Sequence, residues 1–175
     1  MTYSAFEDRD IKYISDALDI AEDKTGNYYK FSFGQWKRYH YDVKTLISLS
    51  KNEISDCAFA MLNKGSRTIK GYEPITEKRD FYFICLQDHR ILEALARDKD
   101  LSLPSLLVYV FTHELVHIVR FCNFFQRFEI KGKGKEDEER LVYNITHEIL
   151  KDSTLPRMGY ILESYKNHRL FELNA

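Results

Sequence analysis

The segment His113-Glu114-Leu115-Val116-His117 has the residue types and the spacing of a metal site. In an α-helix, residues four positions apart lie on one face, so His113 and His117 can direct imidazole nitrogens at a single ion. Glu114 lies beside them, where it can reach a water molecule on that ion without being a ligand. This arrangement is typical of zinc hydrolases, in which two histidines bind the metal and a glutamate is the general base.

The segment lies within the most apolar predicted helix of the chain, which begins near Ser102 and Pro104 and runs to about Cys122. Pro104 stands in the first turn, where a missing N–H group costs nothing. Because this helix is apolar nearly all round, we expect it to be the buried central helix. Its polar histidine and glutamate side chains would be costly to bury without partners, which a metal ion would supply. Without a metal, the alternative is a pair of hydrogen-bonded core histidines.

A catalytic zinc site usually has a third protein ligand and an open position for water. One sequence form, H-E-x-x-H-x-x-G-x-x-H, is excluded because Arg120 and Asn123 stand where it needs Gly and His. The other form supplies an acid from a following helix, and residues 136–151 are predicted to form one. Four consecutive acids open it: Glu136, Asp137, Glu138 and Glu139.

Helical phase separates these four acids. Glu139 and Glu138 both stay in phase with the apolar positions further along the helix, at the edge of its inward face. Glu136 and Asp137 lie at the helix start, where they can simply complement the helix dipole. Phase favours Glu139 as the third ligand, with Glu138 second.

An HExxH helix followed about 20 residues later by an acidic helix start resembles the gluzincin metallopeptidases, especially their compact forms. The resemblance covers residues 104–151 only. In that family the ligand glutamate is typically followed at +3 by a small or branched residue and at +10 and +11 by apolar ones. Glu139 fits this pattern, since Val142, Ile149 and Leu150 stand at those positions.

The resemblance implies a site for one Zn²⁺ ion with Glu114 as the general base. Its three implied ligands are His113, His117 and Glu139. The spacing from His117 to Glu136 is one that some larger members use, so Glu136 stays as an alternative, as does Glu138. Zincins also place a β-strand beside the metal-binding helix, where a substrate adds as an extra strand. The apolar run at 81–86 is either that edge strand or a plain core strand.

Cys85 offers another interpretation, because an upstream cysteine together with the two HExxH histidines is the ligand set of peptide deformylases. The pair Cys85-Leu86 resembles part of their motif, but the glycine-rich segment of those enzymes is absent. The three cysteines have no CxxC spacing, which is typical of free thiols in a reducing compartment. They are Cys57, Cys85 and Cys122.

Other polar residues are weaker candidates. Zincins often use a downstream side chain to stabilise the oxyanion of the tetrahedral intermediate. The candidates here are Tyr143, Tyr160, Tyr165 and His168. His147 and Glu148 on the ligand helix can act as outer partners of the metal site, although exposure is the simpler expectation. We predict that His40 and His89 are ordinary surface residues.

Apolar spacing predicts further helices at 6–22, at 42–62 and at 89–97, and a last helical stretch at 160–170. Gly26 and Gly65 are expected to end the first two. The lysines of 131–135 form a charged connector.

We therefore predict one α+β domain over 1–175, mainly helical and zincin-like. In it, residues 1–75 are mostly helical, and residues 76–175 hold a small sheet packed against the active-site helix and the glutamate-bearing helix.

Composition limits the function classes. The chain has 175 residues, 44% of them hydrophobic, with a net charge of -1 and a pI near 6.6. Such a chain folds around a real core and has no general basic field for nucleic acid. Acidic residues occupy the start of the chain where a signal peptide would be apolar, and the run at 106–111 is too short to span a membrane. We expect a cytoplasmic protein without nucleic-acid or membrane partners.

The sequence thus predicts a zinc metallopeptidase that acts on a protein or peptide substrate and has room for a regulatory protein partner. The alternative is a catalytically silent zinc-binding module that acts by protein–protein interaction. Glu114 argues against that alternative, because a purely structural zinc ion has no use for a base. Structural zinc sites also tend to have four ligands and to be rich in cysteine.

Overall fold

A computed structural model describes residues 2–69, 77–123 and 125–166. Within these ranges the fold is α+β and mainly helical, as predicted. The helices are α1 (Asp8–Tyr28), α2 (Asp88–Arg97), α3 (Leu103–Cys122), α4 (Lys133–Leu150) and α5 (Met158–Ser164). The strands are β1 (Tyr41–Lys44), β2 (Ala60–Ile69) and β3 (Glu77–Leu86), and short 3-10 turns lie at Gln35–Arg38, Leu46–Ser48 and Lys51–Glu53.

Helix α3 is the centre of the fold, as its all-round apolar pattern predicts. Every residue from 105 to 119 is buried, and α1, α4 and α5 pack around the helix. In the described chain it is the one helix long and apolar enough to cross a membrane, yet 83% of its most apolar window is buried inside the fold. This degree of burial is typical of a core helix. The side chains of α3 are therefore held in place by closely packed neighbours.

The sheet has the strand order β1-β3-β2. Strand β1 runs parallel to β3, and β2 runs antiparallel to it, with Ala60 opposite Leu86 and Ile69 opposite Glu77. The strand predicted at 81–86 is confirmed as the second half of β3. The suggestion that it is an edge strand is wrong, because β3 is paired on both sides. Strands β1 and β2 form the two edges of the described sheet instead.

The predicted helix at 42–62 is wrong, and so is a mostly helical region over 1–75 beyond α1. This segment contains β1, two 3-10 turns and the start of β2. Ile47, which a helix would have buried, is 87% exposed, and Gly65 lies inside β2 opposite Phe81 instead of ending a helix. Pairing with β3 outweighs the local helical pattern, as tertiary context often does for short segments.

Two buried side chains at the start of α2 hold the irregular path between β1 and β2. Gln87 accepts a hydrogen bond from the Ser55 backbone N–H at 2.8 Å and donates one to the Glu53 carbonyl at 2.9 Å. The Asp88 carboxylate accepts from the Leu46 backbone N–H at 3.1 Å. Both side chains are at most 1% exposed, so these bonds satisfy backbone groups that a helix would otherwise have paired.

The remaining helices agree with prediction apart from their ends. Helix α1 continues past Gly26 to Tyr28. Gly26 is instead a point of close contact, since a Cβ there would lie 3.2 Å from the Trp36 indole nitrogen. Helix α4 begins at Lys133, so three of the five residues of the predicted connector at 131–135 are helical. Helix α5 begins two residues before the predicted stretch 160–170 and ends at Ser164, and residues 167–170 of that stretch lie outside the described residues.

Candidate metal centre

Helices α3 and α4 pack side by side and bring three potential ligands together in the core. The Nε2 atoms of His113 and His117 each lie 3.3 Å from Oε2 of Glu139, and the three ligand atoms all lie within 4.8 Å of one another. All three side chains are buried, at 4%, 6% and 8% exposure. The three residues predicted to bind a metal therefore form one compact group.

The donor set and its spacing fit a metal ion. A tetrahedral ion with bonds of about 2.0–2.1 Å separates neighbouring ligand atoms by roughly 3.3 Å. The two nitrogen–oxygen separations have this length. The group can thus hold a metal ion through two imidazole nitrogens and a carboxylate oxygen.

The other three acids at the start of α4 do not bond to the two histidines. The Glu138 carboxylate receives two hydrogen bonds from the Arg120 guanidinium, at 2.5 and 3.0 Å. Asp137 is exposed and pairs with Arg140 at 3.2 Å, while Glu136 is exposed in the first turn of the helix. Of the four acids, Glu139 alone reaches the two histidines, as helical phase predicts.

Electrostatics within the group favour the ionised carboxylate. Burial disfavours charge on both Glu139 and His117, but their mutual attraction and hydrogen bonding outweigh burial. The pKa of Glu139 is therefore held well below its usual range, and the pKa of His117 is raised above its ordinary 6.5. Without a metal, His117 keeps a proton that a bound ion would have to displace.

We expect metal affinity to rise with pH through the range above pH 6.5. Below the raised pKa of His117 a proton competes with the metal, so affinity should fall by about tenfold for each pH unit. Competition with a chromophoric chelator between pH 6 and 8 measures this slope. A flat profile in wild type would contradict the assigned ligands.

Glu114 lies next to the metal group in a cleft of about 170 Å³. It is 7% exposed. The three β2 residues Ala60, Met61 and Leu62 line the same cleft. The sheet edge therefore runs beside the predicted general base, a placement that the sequence assigned to a different strand.

The pair formed by Arg120 and Glu138 ties α3 to α4 directly beside the ligands. Arg120 lies three residues after His117, and Glu138 immediately precedes Glu139. The side chains of the pair are 14% and 4% exposed, so the bond forms largely out of water. This pair was not predicted from the sequence, although the position of Arg120 one turn after the second histidine was an indication of it.

Replacing Arg120 by Ala should lower the free energy of unfolding by about 3 kcal/mol, because the buried Glu138 carboxylate then loses its cation. The matched control is Arg140→Ala, which breaks an exposed pair with Asp137 and should cost less than about 1 kcal/mol. Urea unfolding measures both. Equal losses in the two variants would show that the pair with Glu138 is not a special link between the helices.

Cys85 is not part of the metal group found among the described residues. It is buried, and burial raises the pKa of its thiol to about 11. Its sulfur accepts a long contact of 3.6 Å from the Asn63 side-chain amide. Because Cys85 lies outside that group, the structure does not support the deformylase-like arrangement.

The other predicted polar residues are scattered. Tyr143 donates its hydroxyl hydrogen bond to the Leu162 carbonyl at 2.9 Å, and Tyr160 donates to the Asp98 carboxylate at 2.6 Å. His147 is exposed on α4, and His168 lies outside the described residues.

His89 was expected at the surface and is instead 3% exposed, with Nε2 lying 3.2 Å from Asp56 Oδ1. The first turn of α2 turns this side chain inward, where the ring packs against Tyr3 at 4.4 Å. His40 is half-buried, which also differs from the predicted exposure.

Tyr109 is a neighbour of the site that the sequence analysis did not single out. It lies four residues before His113 on the same face of α3, and the two ring centres are 6.4 Å apart. Its ring stacks on Tyr165 at 5.9 Å, so one of the predicted tyrosines does lie near the site.

Comparisons of the chain with protein-family models, with curated proteins and with solved structures found no match.

Proposed function

We propose that this protein is a zinc-dependent metallopeptidase of the gluzincin type. The observation that carries the proposal is the convergence of His113, His117 and Glu139 on one point, with Glu114 in the adjoining cleft. Two imidazoles and one carboxylate are the ligand set of several catalytic zinc sites. Three protein ligands also leave one tetrahedral position open, which a closed structural site does not do.

The chemistry divides between the ion and the chain. Zinc, when bound, supplies a Lewis acid that activates water and polarises the peptide carbonyl. Glu114 accepts the proton from the attacking water and returns it to the leaving amine. Glu114 is only 7% exposed, so bulk water is largely kept from its carboxylate.

Strand β2 is the proposed docking edge for the substrate backbone. It is paired only with β3 among the described strands, and Ala60 to Leu62 line the cleft that also contains Glu114. An extended peptide can add to such an edge through main-chain hydrogen bonds. Main-chain hydrogen bonds of this kind do not distinguish between side chains. Specificity for particular substrate residues must therefore come from neighbouring pockets.

N-methylation of the substrate backbone should therefore reduce cleavage. Removing one main-chain donor at a position that pairs with β2 should lower kcat/KM by about tenfold, the usual value of a lost hydrogen bond in a water-excluded site. A scan of singly N-methylated peptides should show alternation, with sensitive positions two residues apart. Uniform effects along the peptide would contradict strand addition.

The direct experiment is to incubate the zinc-loaded protein with a mixed peptide library and to identify cleaved bonds by mass spectrometry. Zinc-loaded Glu114→Gln is the matched control, since it should keep the metal and lose the base. Cleavage by wild type alone supports the proposal. Stoichiometric zinc without any cleavage would instead favour the silent zinc-binding module.

We also propose that the reaction takes place in the cytoplasm on a protein or peptide substrate. The three cysteines are all free, which favours a reducing compartment.

A further inference from the structure

A second, larger cavity adjoins the metal cleft. Its volume is about 650 Å³, and Ala58 and His113 line both spaces. The metal cleft, at about 170 Å³, is smaller than the roughly 300–1,000 Å³ of pockets that enclose small ligands. The larger cavity falls within that range. A bulky group next to the scissile bond would therefore fit the cavity and not the cleft.

One wall of this cavity is aromatic. The Tyr165 ring packs edge-on against Phe59 at 5.0 Å and stacks on Tyr109 at 5.9 Å. The Tyr143 hydroxyl is bonded to the Leu162 carbonyl, so Tyr143 contributes mainly its ring. Packed ring surfaces of this kind favour another aromatic ring, through burial and edge-to-face contacts.

The charged residues that line the cavity are mostly engaged with neighbours. Asp56 faces His89 at 3.2 Å, and the Asp98 carboxylate accepts from Tyr160 at 2.6 Å. Arg90 is paired with Glu93 at 2.5 Å. Arg97 makes no ion pair within the part of the chain that the structure describes, although it attracts the adjacent Asp98 carboxylate, and it contributes a positive charge to the cavity lining.

We propose that this cavity binds an aromatic side chain of the substrate and that Arg97 binds a carboxylate next to that ring. The inference rests on the proposed peptidase function and names its substrate class. The carboxylate can be the free C-terminus of a peptide or an acidic side chain, since both present the same group to a guanidinium. The cavity then selects the residue beside the bond that Glu114 and the metal group would cleave.

The test is a binding measurement that needs no turnover. N-acetyl-phenylalanine, its amide and N-acetyl-alanine are titrated into the full chain, with and without zinc, by isothermal calorimetry. We expect the phenylalanine acid to bind about tenfold more tightly than the alanine acid, because a buried ring removes a large apolar area from water. It should bind about threefold more tightly than its own amide, in line with a partly exposed ion pair.

Three variants locate the binding. Ala94→Leu fills the cavity from α2, where Ala94 is 2% exposed, and Ala96→Leu is the matched control on the exposed face of the same helix. Cys57→Trp blocks the exposed rim and keeps the test valid if Ala94→Leu fails to fold. Both blocking variants should weaken binding of the phenylalanine acid at least fivefold, and the control should not.

Arg97→Gln should abolish the preference for the acid over the amide. A preference that survives in Arg97→Gln, or that appears only with zinc, would overturn the role of Arg97. Equal binding of the phenylalanine and alanine acids, or unchanged binding in Cys57→Trp, would overturn the aromatic pocket.

The two sources of the carboxylate are separated by peptides that carry an aromatic residue either at a free C-terminus or before an internal aspartate. Tighter binding of one series identifies the source, and equal weak binding of both contradicts the inference. Intact aromatic binding without hydrolysis would reject the peptidase proposal alone, whereas hydrolysis without aromatic preference would reject the pocket alone.

Discussion

Replacing Glu114 by Gln should abolish peptide hydrolysis and leave zinc bound. Glu114 lies in the cleft beside the metal group but outside it, so its loss removes a proton acceptor and no ligand. General-base catalysis contributes roughly 10²–10⁴-fold to rate, and kcat should fall by at least that factor. Gln keeps the size of the side chain, so the fold and the metal content should match wild type.

The measurement is kcat on a peptide identified from the library, with zinc content determined on the same samples. Glu148→Gln, which changes an exposed glutamate on α4, controls for the loss of one negative charge. Unchanged activity in Glu114→Gln would show that another group is the base. Loss of zinc in that variant would show that Glu114 acts on the metal itself.

Replacing Glu139 by Ala should weaken zinc binding by at least 100-fold. Outer partners of a metal site are worth about 10- to 100-fold in affinity, and a direct ligand should exceed them. Glu139 is the acid that lies 3.3 Å from both histidine nitrogens, so no other carboxylate of α4 can replace it without a turn of the helix.

Glu136→Ala is the matched control, because Glu136 is exposed in the first turn of the same helix. Its zinc affinity should equal that of wild type. Competition with a chromophoric chelator compares the variants. A loss in Glu136→Ala with none in Glu139→Ala would favour the spacing argument over helical phase, and would mean that α4 is rotated in the metal-bound protein.

The metal group could be predicted because its determinants are local. The spacing of His113 and His117 fixes their common face once the segment is helical, and the apolar pattern of α3 makes it helical. Glu139 followed from the phase of α4 by the same reasoning. No sequence pattern shows that α3 and α4 pack with these faces together, and that contact follows from the tertiary structure.

The parts that sequence reasoning missed depend on contacts between distant segments. The region 42–62 has helical apolar spacing, but pairing with β3 and the hydrogen bonds of Gln87 and Asp88 determine its path. His89 is buried because Asp56 and Tyr3 cover it, and both are far away in sequence. The contacts of His89 with Asp56 and Tyr3 therefore form only in the tertiary structure.

The edge strand shows the same limit. The run at 81–86 is the most apolar strand of the chain, and a strand buried on both faces belongs in the middle of a sheet. The edge beside the cleft is β2, which is more polar along its length. Apolar content thus predicted where a strand forms, while the order of the strands followed from the tertiary fold.

The central claim is that His113, His117 and Glu139 bind one zinc ion, and elemental analysis of wild type beside His117→Ala tests it most directly. Circular dichroism of both proteins shows whether the variant still folds. We predict about one zinc per chain in wild type and essentially none in the folded variant. No zinc in wild type after reconstitution, or equal zinc in the two proteins, would contradict it.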